Sequence, residues 1–396
     1  MKILFYLHRY PAIGGIERVT MLLANAFAQR GEKVCVVSHF GVEGQTFGSL
    51  ASSVDFFQTP KSKYYSAANR KWLQSKIEAF QPDVIIFQDS YAPIARNLFP
   101  LRLKIPVIVC EHSAPNSYYP PPVKSSHKAL DLLRTILYPV IREIKFLRDR
   151  VRRKYLYDKA WRYCLLSERF FGEFKAVAKI EDARKLIAIP NSSPSKEVNT
   201  DGKCNEIVFV GAMNERKGCE VLLDVWTRIC KRHGDWRLTF VGDGPLRAKL
   251  EKKVSEGKIE RVAFEGYQSD AVKYFRRSKI FAFPSRQEGW GLVLTEAMAA
   301  SCVPIVFNSF SSLGDIVEHN VNGIVIPAFD EEKFETGLEE LMNSPTLLAR
   351  LAVKGMQVCE KYSPQKIIDM WYEVFGKLQI QYNREDPSRE IVSVMQ

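Results

Sequence analysis

The stretch Phe283-Pro284-Ser285-Arg286-Gln287-Glu288-Gly289-Trp290-Gly291-Leu292-Val293-Leu294-Thr295-Glu296-Ala297-Met298-Ala299 spells out a turn from strand to helix. An apolar run ends at Phe283, a glycine-flanked loop follows, and helical spacing begins near Leu292. Glycines let backbone N–H groups approach a ligand, and a helix N-terminus attracts phosphate. Glu288 lies in the loop and Glu296 about one turn into the helix, so both carboxylates can face the mouth of a sheet. In open α/β sheets that crevice is where ligands bind. Carboxylates beside an anion-binding helix end are poor phosphate ligands but good acceptors for sugar and ribose hydroxyls. Taken alone, the pair could equally be solvent-facing glutamates near a helix start.

The same turn recurs upstream. Phe209-Val210-Gly211-Ala212-Met213-Asn214-Glu215-Arg216-Lys217-Gly218 delivers a lysine where a strand ends, and Phe240-Val241-Gly242-Asp243-Gly244-Pro245-Leu246 repeats the geometry. Apolar runs at 207–210, 238–241, 262–264, 280–282 and 303–306, with helical spacing over 219–231, predict a doubly wound parallel sheet. An earlier series predicts another: runs at 3–7 and 34–38 separated by a helix near 17–30, then 84–87 and 107–110, each of the last two introduced by a proline. Between the series, Pro190-Asn191-Ser192-Ser193-Pro194-Ser195 and the polar residues to Asn205 have linker composition. The expected division is therefore α/β domains over 1–195 and 196–362, a final helix over 363–381 after Ser363-Pro364, and a flexible tail over 382–396.

Composition agrees with two globular units. A chain of 396 residues with 46% hydrophobic content can bury two cores. Its 57 Lys plus Arg against 45 Asp plus Glu leave a net charge of +12, which favours anionic partners without choosing among nucleic acid, acidic membrane and phosphorylated substrate. Eight cysteines with no CxxC pair suit a reducing compartment and no structural zinc. The apolar start Ile3-Leu4-Phe5-Tyr6-Leu7 is cut short by His8 and Arg9, which makes it a buried strand rather than a signal peptide. No apolar run approaches the roughly 18 to 20 residues that span a bilayer. A cytoplasmic location is expected.

One segment breaks the pattern. Residues 124–162 hold twelve Lys plus Arg against four Asp plus Glu, two-thirds of the net charge. Leu133, Leu137, Val140, Ile144, Leu147 and Val151 step by three or four, with Arg142, Lys145, Arg148, Arg152 and Arg153 off that stripe. The pattern predicts a basic amphipathic helix, with Pro139 a candidate kink. It either packs on its own sheet or docks on anionic headgroups at the inner face of the plasma membrane, where each basic residue contributes about 1 kcal/mol.

Taken together, these motifs resemble the retaining glycosyltransferases of the GT-B fold, specifically glycosyltransferase family four. The resemblance spans nearly the whole chain and rests on four features in the family's order: Gly14-Gly15-Ile16-Glu17-Arg18, the Lys217-Gly218 loop, Val241-Gly242-Asp243-Gly244-Pro245, and Glu288 with Glu296. It implies two Rossmann-like domains facing a cleft, the final helix crossing back to the first. A nucleotide-sugar donor, UDP- or GDP-linked, would lie on the second domain, with Lys217 against the diphosphate and Glu296 on the ribose hydroxyls. Glu288 would face the donor sugar, and amides of Gly289, Trp290, Gly291 and Leu292 would hold sugar and phosphates. Gly14 and Gly15 would close over the diphosphate, Gly211 would belong to the same donor site, and His112 would stand near the transferred sugar. The acceptor would be a glycan, lipid-linked in bacterial surface polysaccharide assembly.

The family commonly carries an arginine directly after the glycine corresponding to Gly211, whereas this chain has Ala212. Arg216 or Arg18 would have to supply that cation. No Asp-x-Asp occurs in the chain, so no metal and no other cofactor is expected, and Lys217 with helix dipoles would stabilise the leaving group. Transfer would be front-face, the donor phosphate accepting the acceptor's proton, with no nucleophile role for Glu288. Among competing readings, a nicotinamide oxidoreductase lacks its G-x-G-x-x-G fingerprint. An epimerase on the same fold would turn over donor without acceptor. A non-enzymatic anion- or nucleic-acid-binding protein leaves the acidic pair and glycine loops unexplained, so nucleic acid is not an expected partner.

Overall fold

The structure is a computed structural model that describes residues 1–41, 48–60, 63–90, 93–115, 128–194 and 202–385, excluding the side chains of 128–136 and 379–385. The middle of the expected linker, 195–201, the start of the basic segment, 124–127, and the tail from 386 lie outside the described residues.

Two parallel sheets form, one from each apolar series. The first comprises β1 (Lys2–Arg9), β2 (Lys33–Phe40), β3 (Val54–Gln58), β4 (Val84–Phe87), β5 (Val107–Cys110), β6 (Arg162–Leu165) and β7 (Leu186–Ala188). Their order is β3-β2-β1-β4-β5-β6-β7. Β8 (Cys204–Val210), β9 (Arg237–Val241), β10 (Val262–Phe264), β11 (Ser278–Phe283), β12 (Val303–Asn308) and β13 (Ile324–Pro327) make the second. Here the order is β10-β9-β8-β11-β12-β13. Each sheet reverses direction beside its first strand, between β1 and β4 and between β8 and β11, which opens a crevice at the carboxyl ends of those strands. Residues of β4 and β5 are buried throughout, as strands covered by helices on both faces must be.

The helix Gly15–Gln29 buries Val19, Leu23 and Phe27 at four-residue spacing. Phe27 meets the final helix, Pro364–Glu385, with ring centroids 6.5 Å from Trp371, 5.9 Å from Tyr372 and 5.6 Å from Phe375. The final helix thus packs on the first sheet's flank, four residues longer than the expected 381 boundary because its helical hydrogen bonding continues to Glu385.

The basic segment forms one helix, Lys128–Lys159, running through Pro139. Its predicted apolar stripe is not the face that packs on the domain. Leu137, Val140, Ile144, Leu147 and Val151 are exposed, and Asp149, Arg153, Leu156 and Tyr157 are buried against the domain. The expectation that Arg153 belongs to the basic surface is therefore corrected. Its guanidinium is 1% exposed and donates from Nε and one Nη to Glu111 Oε1 at 2.9 and 2.7 Å, while Tyr163 Oη donates to Glu111 Oε2 at 2.6 Å. Two buried charges persist here because each is matched by hydrogen bonds from the other.

Candidate active site

The carboxyl ends of the two sheets face one another across a cavity of about 700 Å³. Five strand-end segments converge on it: the turn and helix start after β1 with Gly14, Gly15 and Arg18; Gln88 and Asp89 after β4; His112 and Ser113 after β5; Arg216 and Lys217 after β8; and residues 287–293 after β11. Glu296 completes the wall from within the helix Leu292–Ala299.

Local backbone chemistry dictates this convergence. Gly291 caps the helix Leu292–Ala299 at φ 77°, a left-handed conformation that side chains with a Cβ adopt rarely. The helix N-terminus then points its unpaired amides into the cavity, where they favour negative charge. Asn214 caps the short 3-10 turn Glu215–Lys217 by accepting from the Lys217 amide at 3.1 Å, which sets Lys217 at the end of β8.

Glu288 is the centre of a cluster. Lys217 Nζ donates to its Oε1 at 2.6 Å, Ser285 Oγ donates to the same oxygen at 2.5 Å, and Arg216 Nη1 stands 3.3 Å away. Burial opposes its charge, but Lys217, Arg216 and these hydrogen bonds outweigh it and hold the carboxyl below the ordinary glutamate value. Burial lowers Lys217 from the ordinary lysine value against the pull of Glu288. Arg216 also donates to the Gln287 carbonyl at 2.9 Å, which ties its half-exposed side chain to this cluster. Glu296 is 5% exposed and bonds to Arg18 of the first domain. Burial raises its carboxyl, with Arg18 opposing.

On the facing wall, His112 Nε2 lies 2.5 Å from Gln88 Oε1. With Nε2 donating, His112 Nδ1 is left as an acceptor, and among the described residues it has no partner. Burial drives the His112 pKa down to about 4, so the ring is neutral at pH 7.

Most of the expected residues meet here: Gly14, Gly15, His112, Arg216, Lys217, Glu288, Gly289, Trp290, Gly291, Leu292 and Glu296 all line the cavity. Gly211 does not. It sits behind the lysine, where a Cβ would lie 3.8 Å from Lys217 Cε. Gln88, Asp89, Ser113 and Ser285 are part of the site without having been expected. The first three lie within three residues of the end of an apolar strand, so the rule that strand ends carry the site was the signal available for them. Arg148, Asp149 and Arg152 of the basic helix also line the cavity.

Two Rossmann-like domains sharing one cleft, with a carboxylate pair and a lysine inside it, are the arrangement that the resemblance to glycosyltransferases of the GT-B fold implies. The family descriptions Glycosyltransferase Family 4 and Glycosyl transferases group 1 match residues 13–191 and 192–358, and the chain belongs to these glycosyltransferases of the GT-B fold. An uncharacterized glycosyltransferase of Haemophilus influenzae is 27% identical over 376 residues, 93% of this chain and 98% of that relative. The GalNAc-alpha-(1->4)-GalNAc-alpha-(1->3)-diNAcBac-PP-undecaprenol alpha-1,4-N-acetyl-D-galactosaminyltransferase of Campylobacter jejuni is 24% identical over 387 residues, 96% of this chain and 99% of that one. Among solved structures, HepE of Anabaena in complex with UDP and glucose superposes with a TM-score of 0.71 at 16% identity, covering 95% of this chain and 100% of that one. Among the described residues, no helix is long and apolar enough to cross a membrane, and no group of three or more His, Cys, Asp or Glu could hold a metal ion.

Proposed function

We propose that this glycosyltransferase is retaining and metal-independent, moving a sugar from a UDP- or GDP-sugar on the second domain to a lipid-linked glycan acceptor on the first. The observation that carries the reading is the Glu288–Lys217–Arg216 cluster beside the helix start at Gly291, facing neutral His112 across the cleft. The lipid-linked acceptor draws support from the Campylobacter relative, whose name specifies an undecaprenol-diphosphate acceptor.

In this reading Lys217, Arg216 and the amides at the start of the helix Leu292–Ala299 take up the negative charge that grows on the leaving diphosphate. Arg216 supplies the guanidinium that Ala212 lacks. The paired, ionised Glu288 accepts from donor-sugar hydroxyls, and Glu296 accepts from the ribose. His112 Nδ1 accepts a further sugar hydroxyl without placing a cation beside an oxocarbenium-like transition state. The acceptor oxygen bonds to the anomeric carbon on the face that the diphosphate leaves, and the acceptor's proton passes to a departing phosphate oxygen. Anomeric configuration is thereby kept.

The exposed stripe Val140, Ile144, Leu147 and Val151, flanked by Arg142, Lys145 and Arg148, would lie in the interface of an anionic membrane. That arrangement holds the cleft at the surface where a lipid-linked acceptor resides. A location on the inner face of the plasma membrane follows.

The test is a panel of nucleotide-sugars assayed with EDTA, the product anomer being read by NMR. Lys217→Ala is expected to lower turnover about 10²- to 10³-fold, the scale of losing one preorganised charge-stabilising donor. Arg216→Ala should fall far more than Arg247→Ala, whose side chain pairs with Asp243 and Glu251 outside the cleft. An inverted anomer, or activity only without EDTA, would refute the corresponding part.

A further inference from the structure

Arg18 and Glu296 belong to different domains and are 278 residues apart in the chain, yet one Arg18 Nη donates directly to Glu296 Oε1. Glu296 is 5% exposed, and among the described residues Arg18 is its sole side-chain partner. The arginine side chain is 30% exposed and lines the cavity, so it reaches the carboxylate from the cavity side. A ribose diol needs both carboxylate oxygens as acceptors, and one of them is taken. The nucleoside therefore has to displace the guanidinium.

Where that guanidinium can go is set by its backbone. Arg18 is the fourth residue of the helix Gly15–Gln29, and the start of this helix abuts the start of the helix Leu292–Ala299: a Cβ on Gly15 would lie 3.8 Å from Leu292 Cδ1. Both helix starts favour anions. Arg18 shares the cavity with Arg216 and Lys217, the other cations placed for a diphosphate. The cleft also keeps its own charges matched when no donor is present, Lys217 on Glu288 and Arg18 on Glu296.

The geometry points to a guanidinium exchange, which rests on the nucleotide-sugar reading: donor binding transfers Arg18 from Glu296 to the donor's diphosphate, while the ribose hydroxyls take over Glu296. The exchange replaces one hydrogen bond to the buried carboxylate by two from the diol, and gives the first domain a bidentate contact to the phosphates. It ties nucleoside recognition on one domain to phosphate recognition by the other. A nucleoside without phosphates meets only the cost of displacing Arg18, because a ligand shifts an equilibrium only by its differential affinity for the two arrangements.

The discriminating experiment measures binding of UDP, GDP, uridine and guanosine to the full chain, wild type and Arg18→Ala, by calorimetry. For the base that binds, Arg18→Ala is expected to weaken the diphosphate at least tenfold and to leave the bare nucleoside unchanged or bound more tightly. Equal weakening of both ligands, or of neither, overturns the exchange. A wild type that binds neither UDP nor GDP overturns the nucleotide-sugar reading and the exchange with it. Melting curves of the unliganded proteins check folding, and Arg18→Gln carries the same readout if the alanine variant does not fold.

Discussion

A Cβ at position 289 would stand 2.0 Å from the carbonyl oxygen of His112, because the Gly289 backbone lies directly against the loop after β5. The second domain thus touches the first at the residue preceding Trp290 and at the residue expected beside the transferred sugar. Ser312 Oγ fixes the other side of this contact by donating to the Gly289 carbonyl at 2.8 Å. Backbone on backbone leaves no flexible side chain to yield.

Gly289→Ala should therefore push the domains apart at the reacting centre. A displacement near 1 Å of catalytic groups costs on the order of a hundredfold in rate, so kcat/KM is expected to fall at least that far while each domain keeps its fold. Circular dichroism and steady-state assays on the same preparation check both halves. Wild-type turnover in the alanine variant would mean that the cleft works at a wider opening than the one seen.

Arg153→Met should be destabilising without touching substrate. It strands the Glu111 carboxylate inside the first domain, and removing one member of a buried ion pair costs about 3 to 5 kcal/mol. Urea unfolding should register that loss, and adding Glu111→Gln should recover a large part of it, since the orphaned charge is then gone. Equal stability of single and double variants would show that the partners left to Glu111, Tyr163 among them, suffice to hold its charge.

How much of this could be read from the chain follows from the range of each interaction. β4 and β5 were legible because continuous burial writes itself as Val-Ile-Ile-Phe and Val-Ile-Val-Cys. The edge strand β3, with three of its five residues exposed, has no such run, and β6 opens with an arginine inside the basic segment. β7 is three residues long and falls below any periodicity. Glu288, Glu296 and Lys217 were legible because glycine turns mark strand ends. Their partners were not: Lys217 meets Glu288 across 71 residues, and Gln88 meets His112 across 24. Arg153 misled for the same reason, since its spacing matches the exposed arginines while Glu111, 42 residues earlier, pulls it inward.

The apolar stripe on the basic helix yields a separable prediction. Replacing Val140, Ile144 and Leu147 by Ser removes apolar surface that is largely exposed, so folding stability should fall by no more than about 1 to 2 kcal/mol. Co-sedimentation with vesicles containing anionic lipid should drop at least tenfold. Arg142→Glu with Lys145→Glu should weaken the same binding in a salt-dependent way, because headgroup attraction is screened. Undiminished vesicle binding by both variants would remove this helix as the docking face.

The acid limb of stability should carry the signature of His112. Its pKa is ordinarily near 6.5 and burial takes it to about 4 in the folded protein, so between those values the unfolded chain binds the proton more readily. The neutral ring's contribution is complete above about pH 6.5 and is lost as pH falls toward 4, amounting to about 2 to 3 kcal/mol by pH 4.5. Glu296, whose carboxyl burial raises, works in the opposite direction and loses stability as pH rises. Comparing wild type with His112→Gln cancels that second effect, since Glu296 is present in both. Urea unfolding at pH 7 and pH 4.5 should show wild type losing about 2 to 3 kcal/mol more than the variant. Parallel losses in the two proteins would mean that His112 is solvated, which would also withdraw the neutral acceptor placed here beside the sugar.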